Sequence, residues 1–208
     1  MELSPVAQRY RQELRERILP MARQQFREKG IRAVKMDDLA HSLSISKRTL
    51  YEIYADKEEL LIEVMKFDEE QRKAYMADIV SRENATVMDV ILAFYHRQME
   101  DIAHINPLFY EEVPRYRRLM DYLESTHQER EQRAQEFFQR GVKEGFFRED
   151  FDYGLISLMG GAVMEHVMRN KLYETYSVKH LFHNVIMLYM RGFCTPKGVD
   201  VIDRMLKE

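Results

Sequence analysis

Apolar residues recur at helical spacing along most of the chain, and few turn residues separate the periodic segments. In the first segment they fall at every fourth position from Tyr10 to Phe26, before a stop at Gly30. This spacing places one apolar stripe on a single face of a helix. Because Pro20 lies within the segment, the sequence predicts either a kink there or a helix that restarts with Pro20 in its first turn.

Two shorter helical segments follow, separated by the three residues "SIS". The first, "VKMDDLAHSL", carries apolar residues on one face, and the second is predicted to run from Lys47 to about Tyr54. Ser46 precedes the second helix, and its hydroxyl can accept one of the unpaired amide hydrogens of the first turn. Two short helices with such a joint predict a helix-turn-helix.

The remainder of the chain predicts longer helices with side-chain caps. Six helices are predicted. The first begins at Lys57 after the cap Asp56, and the last is a short helix beyond Pro196 and Gly198. Between them lie helices from Thr86 to about Ile105, from Arg115 to Lys143, from Asp152 or Tyr153 to Asn170, and from Ser177 to Gly192. Pro107 and Pro114 are expected to bracket an irregular piece, since residues before proline resist helical angles. The pattern indicates an all-α fold.

Composition and charge refine this picture. With 8 Gly and 5 Pro in 208 residues, the composition favours helices. Cys194 is the only cysteine, and no apolar run approaches the ~18 residues of a membrane span, so we expect a cytoplasmic protein without a membrane partner. Residues 1–66 hold 13 Lys and Arg against 11 Asp and Glu, whereas the remainder is net acidic. An anionic partner is therefore expected for the first third.

The second short helix has two contrasting faces. Leu50 can pack inward, while Lys47, Arg48, Thr49 and Tyr51 share the opposite surface. The major groove of double-stranded DNA accepts one α-helix. There Arg48 can reach guanine with two hydrogen bonds, Lys47 a base edge or phosphate, and the hydroxyls phosphate oxygens. The alternative interpretation is that these residues are only the solvent-exposed start of a helix. Their place in the more basic third of the chain makes this alternative less favoured.

Residues 18–64, "ILPMARQQFREKGIRAVKMDDLAHSLSISKRTLYEIYADKEELLIEV", resemble the tetracycline-repressor-like (TetR) transcriptional regulators. The phenylalanine before "EKG", the "DDLA", the "LY" and the "DKEELL" all have the spacing of that family. The resemblance implies a three-helix DNA-binding domain at 1–64 and a larger helical ligand-binding and dimerisation domain at 65–208. It further implies a homodimeric repressor of an inverted-repeat operator, released by a small-molecule effector and needing no cofactor.

The resemblance also places individual residues on the DNA. It puts the exposed face of the second short helix on the bases and Lys57 on a phosphate. Lys35 stands where a Ser or Thr cap is more common, and we interpret it as a further phosphate contact. Ser44 replaces a frequent turn glycine, so positive φ there would cost some stability. The predicted DNA-binding residues are Lys35, Ser46, Lys47, Arg48, Thr49, Tyr51 and Lys57.

The larger part is rich in methionine and aromatic residues. Such side chains can line a pocket for an apolar or aromatic small molecule, although they also form ordinary cores. The predicted pocket residues are Phe94, Tyr95, Met99, Tyr116, Met120, Phe137 and Met159.

A dimer interface is predicted near "LISLMGGAVMEHVM". Glycine inside a helix costs up to about 1 kcal/mol relative to alanine, and small residues at that cost usually permit close helix approach. A two-fold dimer is the expected assembly. The predicted interface residues are Gly160, Gly161, Met164, Val185, Leu188 and Tyr189.

Two other classes of protein remain as alternatives. A helical metal-binding protein would need several Glu-x-x-His pairs on facing helices. Asp101 with His104 has a carboxylate at that spacing, whereas His180 and His183 lack one. No nucleophile elbow or phosphate loop is present, so we expect neither an enzyme nor a metal site. A DNA-independent helical interaction module would have the same fold.

Overall fold

The computed structural model describes residues 5–207, and the chain there is mostly helical. The helices are α1 Pro5–Lys29, α2 Met36–Ser42, α3 Lys47–Ile53, α4 Lys57–Val80, α5 Val87–Ala103, α6 Pro107–Glu112, α7 Arg117–Ser125, α8 His127–Lys143, α9 Tyr153–Arg169, α10 Val178–Phe193 and α11 Pro196–Met205. Short 3₁₀ turns lie at Val113–Arg115 and Leu172–Glu174. The predicted all-α class is confirmed. Within 5–207, none of these helices has the length and apolar character needed to cross a membrane.

The chain forms two compact units. The first extends to Arg72 and also includes Ile105–Glu124; the second contains Lys73–His104 and the chain from Ser125 onward. This division reflects packing and does not test function. The functional boundary between residues 64 and 65 therefore stays a prediction.

The first unit is built around the apolar stripe of α1. Its core contains the fully or almost fully buried Leu14, Ile18, Ala22, Phe26, Leu39, Leu50, Tyr54, Leu60, Leu61 and Leu119. Burying a leucine side chain contributes about 1.5–3 kcal/mol. Tyr10, at the start of the predicted stripe, is instead 55% exposed.

Pro20 does not restart the first helix. One helix runs through Pro5–Lys29, so the predicted restart is wrong, whereas a bend at Pro20 stays a prediction. Proline inside a helix costs about 3 kcal/mol. The buried neighbours Ile18 and Ala22 pack on both sides of the proline and offset this cost, while Pro20 itself faces solvent.

The segment between Pro107 and Pro114 is also more regular than predicted. Pro107 occupies the first turn of α6, where its missing N–H removes no helical hydrogen bond. The side chain of Asn106 accepts a hydrogen bond from the amide of Leu108 at 3.0 Å and so caps the helix. The predicted irregular piece is therefore wrong, because α6 and a 3₁₀ turn occupy it.

The long helix predicted from Arg115 to Lys143 is two helices. The chain leaves helical geometry at Thr126, with φ −96° and ψ 0°. Before this break Leu119 is buried in the core of the first unit, and after it Phe137 packs against the core of the second. The two helices pack against different cores. The apolar periodicity of the sequence does not show which core a segment packs against.

The predicted caps in the second unit are confirmed. Thr86 and Asp89 form a reciprocal capping box at the start of α5. Asp152 caps α9 and Ser177 caps α10, each accepting a hydrogen bond from a backbone amide three residues later. At the last helix the prediction was wrong, because Gly198 lies inside α11 rather than before it.

An aromatic cluster fills the core of the second unit. Phe138 stacks on Tyr153 with ring centroids 4.4 Å apart, and Phe147 meets Phe193 edge to face at 5.1 Å. Gly141 allows this approach, since a Cβ built there would lie 1.9 Å from the ring of Phe147. A residue without a side chain is therefore required at that position of α8.

Candidate nucleic-acid interface

The turn between α2 and α3 sets the position of α3. Ser44 adopts φ 56° in this turn and so holds a left-handed conformation that costs a non-glycine residue free energy. The amide of Ile45 donates to the carbonyl of Ala40 at 3.0 Å. Leu50, on the inner face of α3, is completely buried. The turn and this anchor orient the other face of α3 outward.

Ser46 caps α3 as predicted. Its hydroxyl oxygen accepts a hydrogen bond from the amide of Thr49 at 3.0 Å. The two hydroxyl groups of Ser46 and Thr49 also lie 2.8 Å apart and share a hydrogen bond. Both hydroxyls are therefore held in place at the start of the helix.

The outward face of α3 carries the predicted basic and aromatic residues. The side chains of Lys47 and Arg48 are 65% and 88% exposed, and Tyr51 is 47% exposed. Thr49 is half-buried beside them. The fold thus brings together the residues that the sequence assigned to one surface.

Both cations of this face have carboxylate partners. Lys47 donates to the carboxylate of Asp37 in α2, and Arg48 Nε donates to Glu52 Oε1 at 2.8 Å within α3. These hydrogen bonds and charges raise the pKa of Lys47 and that of Arg48 above their ordinary values. Both groups are accordingly cations that can bind an anionic polymer.

Lys35 occupies the N-cap position of α2. Its backbone is extended, its side chain makes no capping hydrogen bond, and it is exposed. Asp37 and Asp38 in the first turn complement the helix dipole that Lys35 opposes. The role of Lys35 as a phosphate contact stays a prediction.

Lys57 has a structural role that the sequence did not indicate. Its ammonium group donates to the carbonyl of Ile31 at 2.9 Å and to that of Val34 at 3.0 Å. Partial burial lowers the pKa of Lys57. The lysine thereby fastens the loop before α2 to the start of α4, and its predicted phosphate contact is not tested by this arrangement.

Other long-range bonds also went unpredicted. Arg17 in α1 donates to the carbonyl of Leu43, at the end of α2, at 3.0 Å. The buried carboxylate of Glu112 accepts from the amide of Arg32 at 2.8 Å. Partners 26 and 80 residues apart leave no periodic signal in a single sequence. They nevertheless hold the chain just before α2 and the end of α2.

The predicted pocket residues do not all lie in one cluster. Tyr95, Met99 and Phe137 belong to the core of the second unit, whereas Tyr116 and Met120 belong to the first. Met159 is 48% exposed on α9 and Phe94 is partly buried on α5. The assignment of these residues to a pocket stays a prediction.

The second unit also contains a cleft with a volume of about 470 Å³. The stacked pair Phe138 and Tyr153 lines it together with Phe151 and Lys143. None of the predicted pocket residues is among its lining residues. A cleft of this size falls within the range of small-molecule sites.

Both α9 and α10 carry exposed apolar side chains, which we call together the α9/α10 face. It comprises Leu155, Leu158, Met159 and Leu188, which are 52%, 70%, 48% and 74% exposed. The predicted interface residues lie on the same two helices, which pack against each other. At Gly160 and Gly161 an added Cβ would meet nothing within 4 Å, so the space beside them is open.

Within the described residues 5–207, no group of three His, Cys, Asp or Glu side chains is arranged to hold a metal ion. The helix-turn-helix, by contrast, is complete and has a cationic outer face. An all-α chain with this motif defines the class of helix-turn-helix DNA-binding regulators.

Comparison with known proteins finds relatives among bacterial regulators. Residues 18–64 match the family "Bacterial regulatory proteins, tetR family". The HTH-type transcriptional repressor KstR2 of Mycobacterium tuberculosis is 26% identical over 144 residues, which cover 67% of this chain and 72% of that protein. These similarities support a DNA-binding transcriptional regulator of the TetR family.

Solved structures show the same fold. A TetR-family regulator from Agrobacterium tumefaciens has a TM-score of 0.70 at 13% identity, covering 89% of this chain and all of that one. The ketosteroid transcriptional regulator KstR2 of Mycobacterium tuberculosis has a TM-score of 0.53 at 19% identity, covering 87% and 95% of the two chains. TetR-family repressors bind operator DNA and small-molecule effectors, and the family is not enzymatic.

Proposed function

We propose that the protein is a cytoplasmic homodimeric repressor that binds an inverted-repeat operator and is released by a small-molecule effector. The observation that carries this proposal is the outward face of α3. Lys47 and Arg48 stand exposed there, on the same helix as the fully buried Leu50. A helix anchored on one side and cationic on the other fits the major groove.

Each residue of this face has a proposed role at the DNA. Arg48 forms two hydrogen bonds with guanine O6 and N7, the commonest base-specific contact of arginine. Lys47 contacts a base edge or a phosphate, and the Thr49 and Tyr51 hydroxyls contact phosphates. The proposed contacts with the DNA backbone also include Lys35, Ser46 and Lys57. Phosphate contacts position the protein on the DNA but do not read its sequence.

Dimerisation is proposed to occur through the α9/α10 face. Leu158 and Leu188 are more than two-thirds exposed in the single chain, and contiguous exposed apolar side chains usually mark an interface. A two-fold axis would bring the same face of two copies together, with Gly160 and Gly161 allowing close approach. The two copies of α3 would then reach half-sites about 34–36 Å apart.

The effector is proposed to bind in the second unit. Its methionine and aromatic side chains favour an apolar ligand, and the relative named as a ketosteroid regulator makes ketosteroids the first compounds to test. Binding releases the operator only if the ligand prefers the state that does not fit DNA. The proposal includes no catalytic step.

The role of Arg48 is tested by titrating Arg48→Ala on the best fragment recovered from genomic DNA. Arg9→Ala is the matched control, since Arg9 is 84% exposed and pairs with Glu13 four residues later, as Arg48 does with Glu52. Loss of one bidentate base contact costs about 1–3 kcal/mol of binding free energy. Equal affinity of Arg48→Ala, Arg9→Ala and the wild-type protein for that fragment would reject the base contact of Arg48. Recovery of no fragment at all would favour the DNA-independent interaction module.

A further inference from the structure

One ion pair joins the two helices of the helix-turn-helix. Asp37 lies in the first turn of α2, and its carboxylate accepts a hydrogen bond from the ammonium group of Lys47 at the start of α3. The Asp37 side chain is 46% exposed, so the pair lies at the surface. The cation proposed to contact DNA therefore already has an anionic partner within the protein.

This ion pair is expected to affect non-specific DNA binding and operator binding to different extents. A phosphate can replace Asp37 as the partner of Lys47, but the exchange leaves the carboxylate uncompensated beside a polyanion. Non-specific binding depends almost entirely on cations that neutralise phosphates. An internally paired lysine contributes less to it than a free one. At the operator, base-edge contacts add binding energy that phosphate exchange does not supply.

We propose that Asp37 is a specificity-determining residue whose carboxylate competes with DNA phosphates for Lys47 and so weakens binding to non-operator DNA more than binding to the operator. This inference rests on the proposed role of Lys47 at the DNA. It assigns to an acidic residue on a DNA-binding surface the function of excluding unsuitable sites, since discrimination is a difference between two affinities.

Glu52 has the same relation to Arg48, with a smaller expected effect. The two residues form an i, i+4 pair within α3 at 2.8 Å. The arginine precedes the glutamate, which is the less favourable order on a helix. Arg48 is also the more exposed cation, at 88% against 65% for Lys47. Asp37 is therefore the stronger test.

The experiment compares Asp37→Asn with Asp38→Asn. Both substitutions remove one negative charge from the first turn of α2, but it is Asp37 whose carboxylate accepts the hydrogen bond of Lys47. Each variant is titrated at several salt concentrations with a random-sequence duplex and with the best selected genomic fragment. Circular dichroism verifies folding, and Asp37→Ser provides a second neutral variant.

Asp37→Asn is expected to tighten binding to the random duplex about threefold to fivefold, the range of a surface ion pair. Its salt dependence should steepen by roughly one phosphate contact. Binding to the selected fragment should tighten less, so discrimination falls. Asp38→Asn should retain the wild-type ratio of affinities. Equal loss of discrimination in the two variants would overturn the proposal.

Lys47→Ala separates this inference from the proposed function. In that background, Asp37→Asn should have no more effect than Asp38→Asn, because the competitor has lost its cation. If Lys47→Ala alone leaves both affinities unchanged, the DNA role of Lys47 fails and the inference fails with it. If Lys47→Ala weakens binding but Asp37→Asn and Asp38→Asn behave alike, the competitor role alone is rejected.

Discussion

The two units differ in the surfaces that they present at α3 and at the α9/α10 face. In the first unit, α1 to α4 enclose a core in which Phe26, Leu39 and Leu50 are completely buried, and the outward face of α3 is charged. In the second unit, Leu158 and Leu188 remain 70% and 74% exposed. The proposed partners differ accordingly: DNA is proposed to meet the charged face of α3, and a second copy of the chain is proposed to meet the apolar α9/α10 face.

The largest expected effect comes from breaking the core of the first unit. Leu50→Ala truncates a completely buried side chain by which α3 packs on the core of the first unit. The free energy of unfolding should fall by about 2–5 kcal/mol, measured by urea denaturation, and DNA binding should be lost. Leu206→Ala, at a 40% exposed leucine, should change it by no more than about 0.5 kcal/mol. Similar losses in both variants would contradict the comparison.

Charges on the α9/α10 face should separate the copies without unfolding them. Leu158→Glu with Leu188→Glu places two carboxylates in an apolar interface, so light scattering should show a monomer with unchanged helix content. Operator affinity should fall about 100-fold, because one half-site then binds without its linked partner. Leu206→Glu should remain dimeric. A dimer in the double variant would show that another surface joins the copies.

A smaller effect is expected at the turn of the helix-turn-helix. Ser44 has φ 56°, a conformation that glycine adopts without steric cost. Ser44→Gly should therefore raise the free energy of unfolding by about 1 kcal/mol. Ser44→Ala retains the Cβ and should show no such gain. Equal stability of the glycine and alanine variants would mean that the turn is not strained.

The last effect concerns the second unit and is confined to alkaline pH. Burial raises the pKa of Cys194 from 9.0 to about 11, so folding favours the protonated thiol. This contribution to stability is complete below pH 9 and is lost as the pH rises towards 11. Cys194→Ala should flatten the fall of Tm across that interval, whereas the nearby truncation Val199→Ala should retain the wild-type slope. Parallel slopes for all three proteins would exclude this contribution.

Local chemistry made much of the fold predictable. The caps Ser46, Thr86, Asp152 and Ser177 each act on an amide within three residues, so the sequence contains both partners side by side. The outward face of α3 followed from one buried position, Leu50, and the helical period. Such features depend only on short segments and can be predicted without a structure.

The features that the sequence did not predict depend on contacts between distant parts of the chain. Lys57 binds carbonyls 23 to 26 residues away, and Asp37 reaches Lys47 across the turn, where neither spacing follows a helical period. The break at Thr126 arises because successive segments pack into different cores. Periodicity identifies an apolar face but does not specify which core, ligand or partner chain will cover it.

The central claim, sequence-specific DNA binding through α3, is tested most directly by selecting fragments of genomic DNA with the purified protein. Wild-type protein should enrich a shared inverted repeat with half-site centres about 34–36 Å apart, and its affinity should fall steeply as salt rises. Arg48→Ala should not enrich that repeat. Selection of no common sequence by the wild-type protein, with the same weak salt-dependent binding in Arg48→Ala, would contradict the claim.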